Sequence, residues 1–187
     1  MLDQDKVYVL LCTRKLRLLD PKSWISFLIR KISGKPDHVG FIYFKFGHWR
    51  QAEATTGRVQ IQPLFNWKFA TRFDAWIQEN SYYTSKRQRM ISYAEGCEGI
   101  IKYDFTGLIW MFIYLRRGIW LGSSKRRQDQ RQFCSEFIAN CAGIEGAQYK
   151  TPKAIYLAGG KILGKMTGYS EPFGVSAGEP IIEQISF

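Results

Sequence analysis

The order in which two hydrophobic periodicities occur along this chain constrains its fold more than any other feature. β-rich runs fill the first half, and segments with helical spacing fill the second. Such segregation argues for an α+β fold, an antiparallel sheet packed against helices, rather than a repeating strand–helix–strand pattern.

Lys6–Cys12 (KVYVLLC) reads as a short buried strand. His38–Phe44 (HVGFIYF), Trp49–Thr55 and Val59–Leu64 (VQIQPL) follow as a meander, punctuated by Gly47 and Gly57, with Asp74–Gln78 as a fourth candidate. One helix interrupts this half. Asp20 stands as its N-cap and Pro21 at its first position, with Trp24, Phe27, Leu28 and Ile32 at helical spacing over Lys22–Ile32. Gly34-Lys35-Pro36 breaks it.

In the second half, Lys86–Cys97 is a candidate helix that turns Met90, Ile91 and Ala94 inward. Tyr103-Asp104 precede an apolar helix over roughly Phe105–Leu115. Gly122–Gln132 is polar and basic and reads as a loop. Phe133–Ala142 (FCSEFIANCA) reads as a short helix with Phe137, Ile138 and Cys141 on its inner face and Gly143 ending it. Thr151 caps and Pro152 opens a further helix over Lys153–Leu163. The Gly-rich, then apolar tail 164–187 is expected to add an edge strand or dock on the core. No linker divides the 187 residues, so one domain is expected, with its core at about 6–163.

With 45% hydrophobic and 16% aromatic residues, the chain is too apolar for disorder. Its net charge of +11 favours polyanionic partners without choosing among nucleic acid, anionic lipid and acidic cell-wall polymers. Nucleic acid is not favoured: the basic residues are dispersed, and no RNA-recognition, zinc-knuckle or helix-turn-helix pattern occurs. The N-terminus lacks the basic start and long apolar core of a signal peptide. The most apolar stretch, Leu108–Leu115, ends at Arg116-Arg117, short of the roughly 20 residues that span a bilayer. A cytoplasmic chain with reduced thiols is expected, with release by lysis or carriage in a particle left open.

Four cysteines (Cys12, Cys97, Cys134, Cys141) are too few for a disulfide-stapled fold, and no C-x-x-C occurs. With only two histidines, a Cys/His zinc site has little support, and no metal or cofactor is expected. Any chemistry needing an imidazole must use His38 or His48. Cys134 stands at a helix start, where free backbone N–H groups and the positive end of the dipole favour a thiolate nucleophile. Its own N–H is a candidate oxyanion donor. Cys12, Cys97 and Cys141 fit the usual fate of a free cysteine, a small buried hydrophobe. His38 begins a strand after a Gly-Pro break, at a sheet end.

Glu53 is the third candidate. If Phe44–Gly47 form a four-residue loop, Tyr43 pairs with His48, and His38 lies opposite Glu53 on one face. Glu53 then fixes the imidazole tautomer. His48, at the turn tip and on the other face, is the weaker alternative third member. A one-residue slip would break this arrangement.

The segments DHVGFIY, QAEATTGRVQIQPL, YDFTGLIW, FCSEFIANCAG and TPKAI occur in an order that resembles the circularly permuted papain-like hydrolases. These are the permuted NlpC/P60 group, of the YiiX/YebB type, akin to lecithin–retinol acyltransferase-like enzymes. The resemblance covers about residues 6–163. It implies a permuted papain-like fold, with Cys134 as nucleophile, His38 as base and Glu53 as orienting residue. Tyr103-Asp104 and Thr151-Pro152 match landmarks of the group. Two features depart from it: the N-terminal residues do not read as the signal peptide that many bacterial relatives carry, and the strongly basic insert Gly118–Gln132 does not match the family pattern.

The implied activity is cysteine hydrolysis of an amide, as in peptidoglycan stem peptides or another peptide or isopeptide, through a thioacyl-enzyme. An acyltransferase or thioesterase acting on lipid is the alternative, and a non-catalytic basic binding module is a further one. Tyr103, Arg126 and Arg127 are weaker candidates for substrate contact. Arg126 and Arg127 lie in a basic loop that would attract a carboxylate or phosphate, although a solvated loop is the commoner role for such a segment. The aromatic helix from Phe105 to Trp120 would suit an acyl chain or membrane, but a core helix is its default role.

Overall fold

The computed structural model describes residues 2–14, 26–27, 29–31, 34–55, 57–64, 73–119, 131–158, 160–169 and 180–183. Its frame is a sheet of seven strands. These are β1 (Val7–Arg14), β2 (His38–Lys45), β3 (His48–Ala54), β4 (Val59–Pro63), β5 (Phe73–Glu79), β8 (Lys161–Tyr169) and β9 (Pro180–Glu183). They run in the order β4-β3-β2-β1-β5-β8-β9, and every neighbouring pair is antiparallel. β6 (Lys102–Tyr103) and β7 (Arg131–Gln132) form a separate two-residue parallel pair.

β1 lies at the centre because both of its faces are apolar. Val7, Val9 and Leu11 join one core cluster, and Tyr8, Leu10 and Cys12 join the other. The first cluster is covered by α2 (Arg87–Cys97) and α4 (Cys134–Ala142). Met90, Ile91 and Ala94 of α2 are buried there, in keeping with the helical spacing. Phe137 of α4 stacks on Phe41 of β2, with ring centroids 6.2 Å apart. α1 (Ser81–Ser85), a short helix capped by Asn80, leads from β5 into α2 and had no strong sequence signal. α3 (Phe105–Arg117) is capped by the Asp104 carboxylate, which accepts from the Gly107 N–H at 2.8 Å. Gly118, in the left-handed region at φ 69°, ends it.

Three expectations are corrected. The β2–β3 loop has two residues, not four: Phe46 (φ 54°) and Gly47 (φ 77°) are both left-handed, and Lys45 pairs with His48. Two consecutive positive-φ residues match the twist of a tight hairpin, which lengthens the ladder and shifts the register by two. The helix expected over Lys153–Leu163 stops early. α5 is Pro152–Leu157, and β8 begins at Lys161, paired with β5. Gly160 makes that return fit, since a Cβ there would lie 2.7 Å from the Glu79 carbonyl oxygen. As expected, the tail adds an edge strand: it supplies β9 and the end of β8. Finally, Arg131-Gln132 are strand β7 rather than loop.

Part of the expected helix over Lys22–Ile32 is helical, at 26–27 and 29–31. Its cap Asp20-Pro21, and Arg126 and Arg127, lie outside the described residues. No described helix is long and apolar enough to cross a membrane.

Candidate active site

α4 begins at Cys134 because Phe133 is extended (φ −94°, ψ 170°) and forms the N-cap position. The first intrahelical bond runs from the Phe137 N–H to the Phe133 carbonyl at 2.9 Å. The amides of Cys134, Ser135 and Glu136 therefore precede the helical ladder. A phenyl ring cannot accept a hydrogen bond, so the cap depends on Glu136, whose Oε2 accepts from the Phe133 N–H at 3.4 Å. Ser135 Oγ donates to the Lys150 carbonyl at 2.6 Å and ties the helix start to the segment before α5.

His38 stands at the first position of β2, opposite Cys12 on β1. The residue before it is anchored on both sides. The Asp37 N–H donates to the Cys12 carbonyl, and its buried carboxylate accepts from the Arg14 N–H at 3.1 and 3.2 Å. Arg30 Nε lies 3.2 Å from Asp37 Oδ2. Burial pushes the Asp37 carboxyl up to about 6, against the opposing pull of the Arg14 N–H, Arg30 and His38.

The register shift leaves the proposed pairing chemically intact. Two residues is one full side-chain period, so Glu53 stays on the face of His38 and becomes its diagonal neighbour. His38 Nε2 lies 2.7 Å from Glu53 Oε2. The residue now facing Glu53 is Gly40, where a Cβ would lie 3.3 Å from Glu53 Cβ and 3.0 Å from the Ala52 carbonyl oxygen. The absence of a side chain there keeps the path from His38 to Glu53 clear. On the far side, Gln62 Nε2 donates to Glu53 Oε1 at 3.2 Å. His38, Glu53 and Gln62 thus form a line across β2, β3 and β4, and the Glu53 side chain is only 1% exposed.

His38 also hydrogen-bonds to Cys134, which completes the convergence of the three residues singled out in the sequence. Glu53 occupies Nε2, which leaves Nδ1 for the thiol. Burial lowers the imidazole's proton affinity, but the bonds to Cys134 and Glu53 and their charges outweigh it and hold His38 up at about 10. Tyr103 reaches the same sulfur. Burial, then the charge of Cys134 and a hydrogen bond to it, push its phenol well above the ordinary value. His48 is exposed at the hairpin turn and lies on the opposite face of β3 from Glu53. Cys12, Cys97 and Cys141 are buried, and burial raises each thiol.

Sequence reasoning missed Gln62, Gly40 and the Asp37–Arg14–Arg30 anchor. Gln62 was within reach, since the alternation of VQIQPL puts Gln60 and Gln62 on one face. The anchor had no local signal because its members come from three separated segments. Among the described residues, no group of three or more His, Cys, Asp and Glu is arranged to hold a metal ion. The chain matches no protein-family model, and no curated protein matches it.

Proposed function

We propose that this chain is a cysteine hydrolase of the circularly permuted papain-like (NlpC/P60) type, with Cys134 as nucleophile, His38 as general base and acid, and Glu53 as orienting residue. One observation carries the reading. A part-buried imidazole bridges a helix-start thiol and a buried carboxylate, 2.7 Å from the latter. An imidazolium between two acidic groups is the form that a thiolate–imidazolium pair takes. The antiparallel sheet packed against helices, and the chain order His, acid, Cys, also support the permuted fold.

In the reaction, the Cys134 thiol proton resides on His38, and the sulfur attacks a carbonyl carbon. The tetrahedral oxyanion is met by the Cys134 N–H, which has no intrahelical acceptor. As the C–N bond breaks, His38 gives its proton to the departing amine, and a thioacyl-enzyme remains. Water then gives a proton to His38 and attacks the thioester. The acid leaves, the sulfur departs as thiolate, and the thiolate–imidazolium pair is restored. Glu53 keeps Nε2 protonated throughout, so the exchange takes place at Nδ1. An ester or thioester follows the same course with an alkoxide or thiolate as leaving group. The amide is the primary reading and a lipid acyl group the alternative.

All four cysteines are free and buried, and the most exposed is Cys97 at 7%, so exposure does not favour Cys134. Selective alkylation therefore reports activation. With iodoacetamide and peptide mass spectrometry, Cys134 should react fastest of the four below pH 7, and His38→Ala should abolish the difference. If Cys134 reacts like its neighbours, or is inert in the folded chain, the assignment fails.

A further inference from the structure

Exposed large apolar residues gather on α3 and just beyond it. The helix turns Gly107, Leu108 and Met111 inward, where Leu108 and Met111 meet Ile29 and Phe133. On the opposite side Phe105, Ile109 and Ile113 recur at i, i+4 and i+8, which places them on one stripe. Phe105 is 41% exposed and Ile109 55%, Ile113 is partly exposed, and Ile119 beyond the helix end is 53% exposed. The outer face of a core helix is ordinarily polar. α3 contains no acidic residue, and its only charges are Arg116 and Arg117 in the last turn.

Both ends of the stripe are basic. At its start, exposed Lys102 and Arg131 pair across β6 and β7, and exposed Arg58 bridges to Lys102. At its end stand Arg116 and Arg117, also exposed. An apolar strip closed at both ends by cations complements a bilayer whose apolar interior lies under anionic headgroups. The strip also begins at the candidate site. The Phe105 ring lies 4.8 Å from that of Tyr103, which hydrogen-bonds to Cys134.

We propose that the outward face of α3 docks on an anionic lipid bilayer and presents Cys134 to an amide or ester carbonyl of a molecule anchored there. The docking stands on the surface alone, and the presentation rests on the hydrolase reading. At 13 residues the helix lies in the membrane plane rather than across it.

Full-length protein is sedimented with phosphatidylcholine vesicles, with and without phosphatidylglycerol. Binding is expected with phosphatidylglycerol and should weaken as salt rises. Arg116→Gln and Arg117→Gln should each weaken it by about fivefold. Ile109→Gln with Ile113→Gln should abolish it while leaving the circular-dichroism melt unchanged, since both side chains face away from the core. Absence of binding to anionic vesicles, or binding indifferent to both pairs of substitutions, overturns the proposal. So does a concentration-dependent dimer in sedimentation velocity that Ile109→Gln disperses, which would assign the face to a second copy. Cys134→Ala separates the two readings because it should still bind vesicles. Vesicle binding with an unreactive wild-type Cys134 would keep the docking and remove the presentation.

Discussion

Replacing Glu53 by Gln keeps the shape of a buried side chain and removes its charge. His38 Nε2 lies 2.7 Å from Glu53 Oε2, and the carboxylate is only 1% exposed, so water cannot take its place. A hydrogen bond to a charged group contributes about 1.5–3 kcal/mol net. A change of one pH unit in a titration corresponds to about 1.4 kcal/mol. His38, held at about 10, should therefore titrate about one to two pH units lower in Glu53→Gln. The sign follows from linkage. The folded value lies above the ordinary 6.5, so the stability this group contributes is fully present below pH 6.5 and is lost as pH rises through about 10. In the variant that loss comes earlier. The assay is imidazole NMR across a pH series. The chain holds only His38 and His48, so two ring systems are observed, and exposed His48 is the internal control. An unmoved His38 midpoint, or one that rises, would refute the claim that Glu53 holds the imidazole protonated.

Two further outcomes follow from the same geometry. Gly40→Ala places a Cβ 3.0 Å from a ladder carbonyl and 3.3 Å from Glu53 Cβ, in a hairpin with little room to yield. Urea denaturation should show a loss of about 1–3 kcal/mol, and an unchanged midpoint would count against the close approach. Glu136 is held up at about 8 by burial, opposed by the Phe133 N–H and reinforced by the nearby Asp104 charge. Its contribution to stability is full below its ordinary 4.5 and falls as pH rises through about 8. Glu136→Gln imitates the protonated carboxyl, so the variant should melt increasingly above wild type as pH rises through that window. Parallel melting curves against pH would contradict this.

The candidate site was legible in the sequence for a reason that the hairpin makes plain. The expected register was wrong by two residues, yet His38 and Glu53 still meet, because side chains on a strand repeat every second residue. An error of one would have separated them. The start of a helix at Cys134 and the cap at Thr151 were also readable, since each depends on residues within one turn. The end of the helix after Pro152 was not. The local pattern over Lys153–Leu163 permits a helix, and the chain leaves it to pair with β5, a contact that no local pattern encodes.

The sequence by itself determined the class of the fold, the strand alternation that puts His38 and Glu53 on one face, and the helix start that carries Cys134. All are short-range consequences of backbone periodicity and capping. Tertiary structure alone decided the central position of β1, the return of β8 and β9 onto the sheet, and the anchor of Asp37 on Arg14 and Arg30. It also decided the meeting of Tyr103 with Cys134, and which face of α3 is left outside the core. Each of these depends on segments far apart in the chain arriving at the same place. Local chemistry permits such arrivals, but packing selects among them.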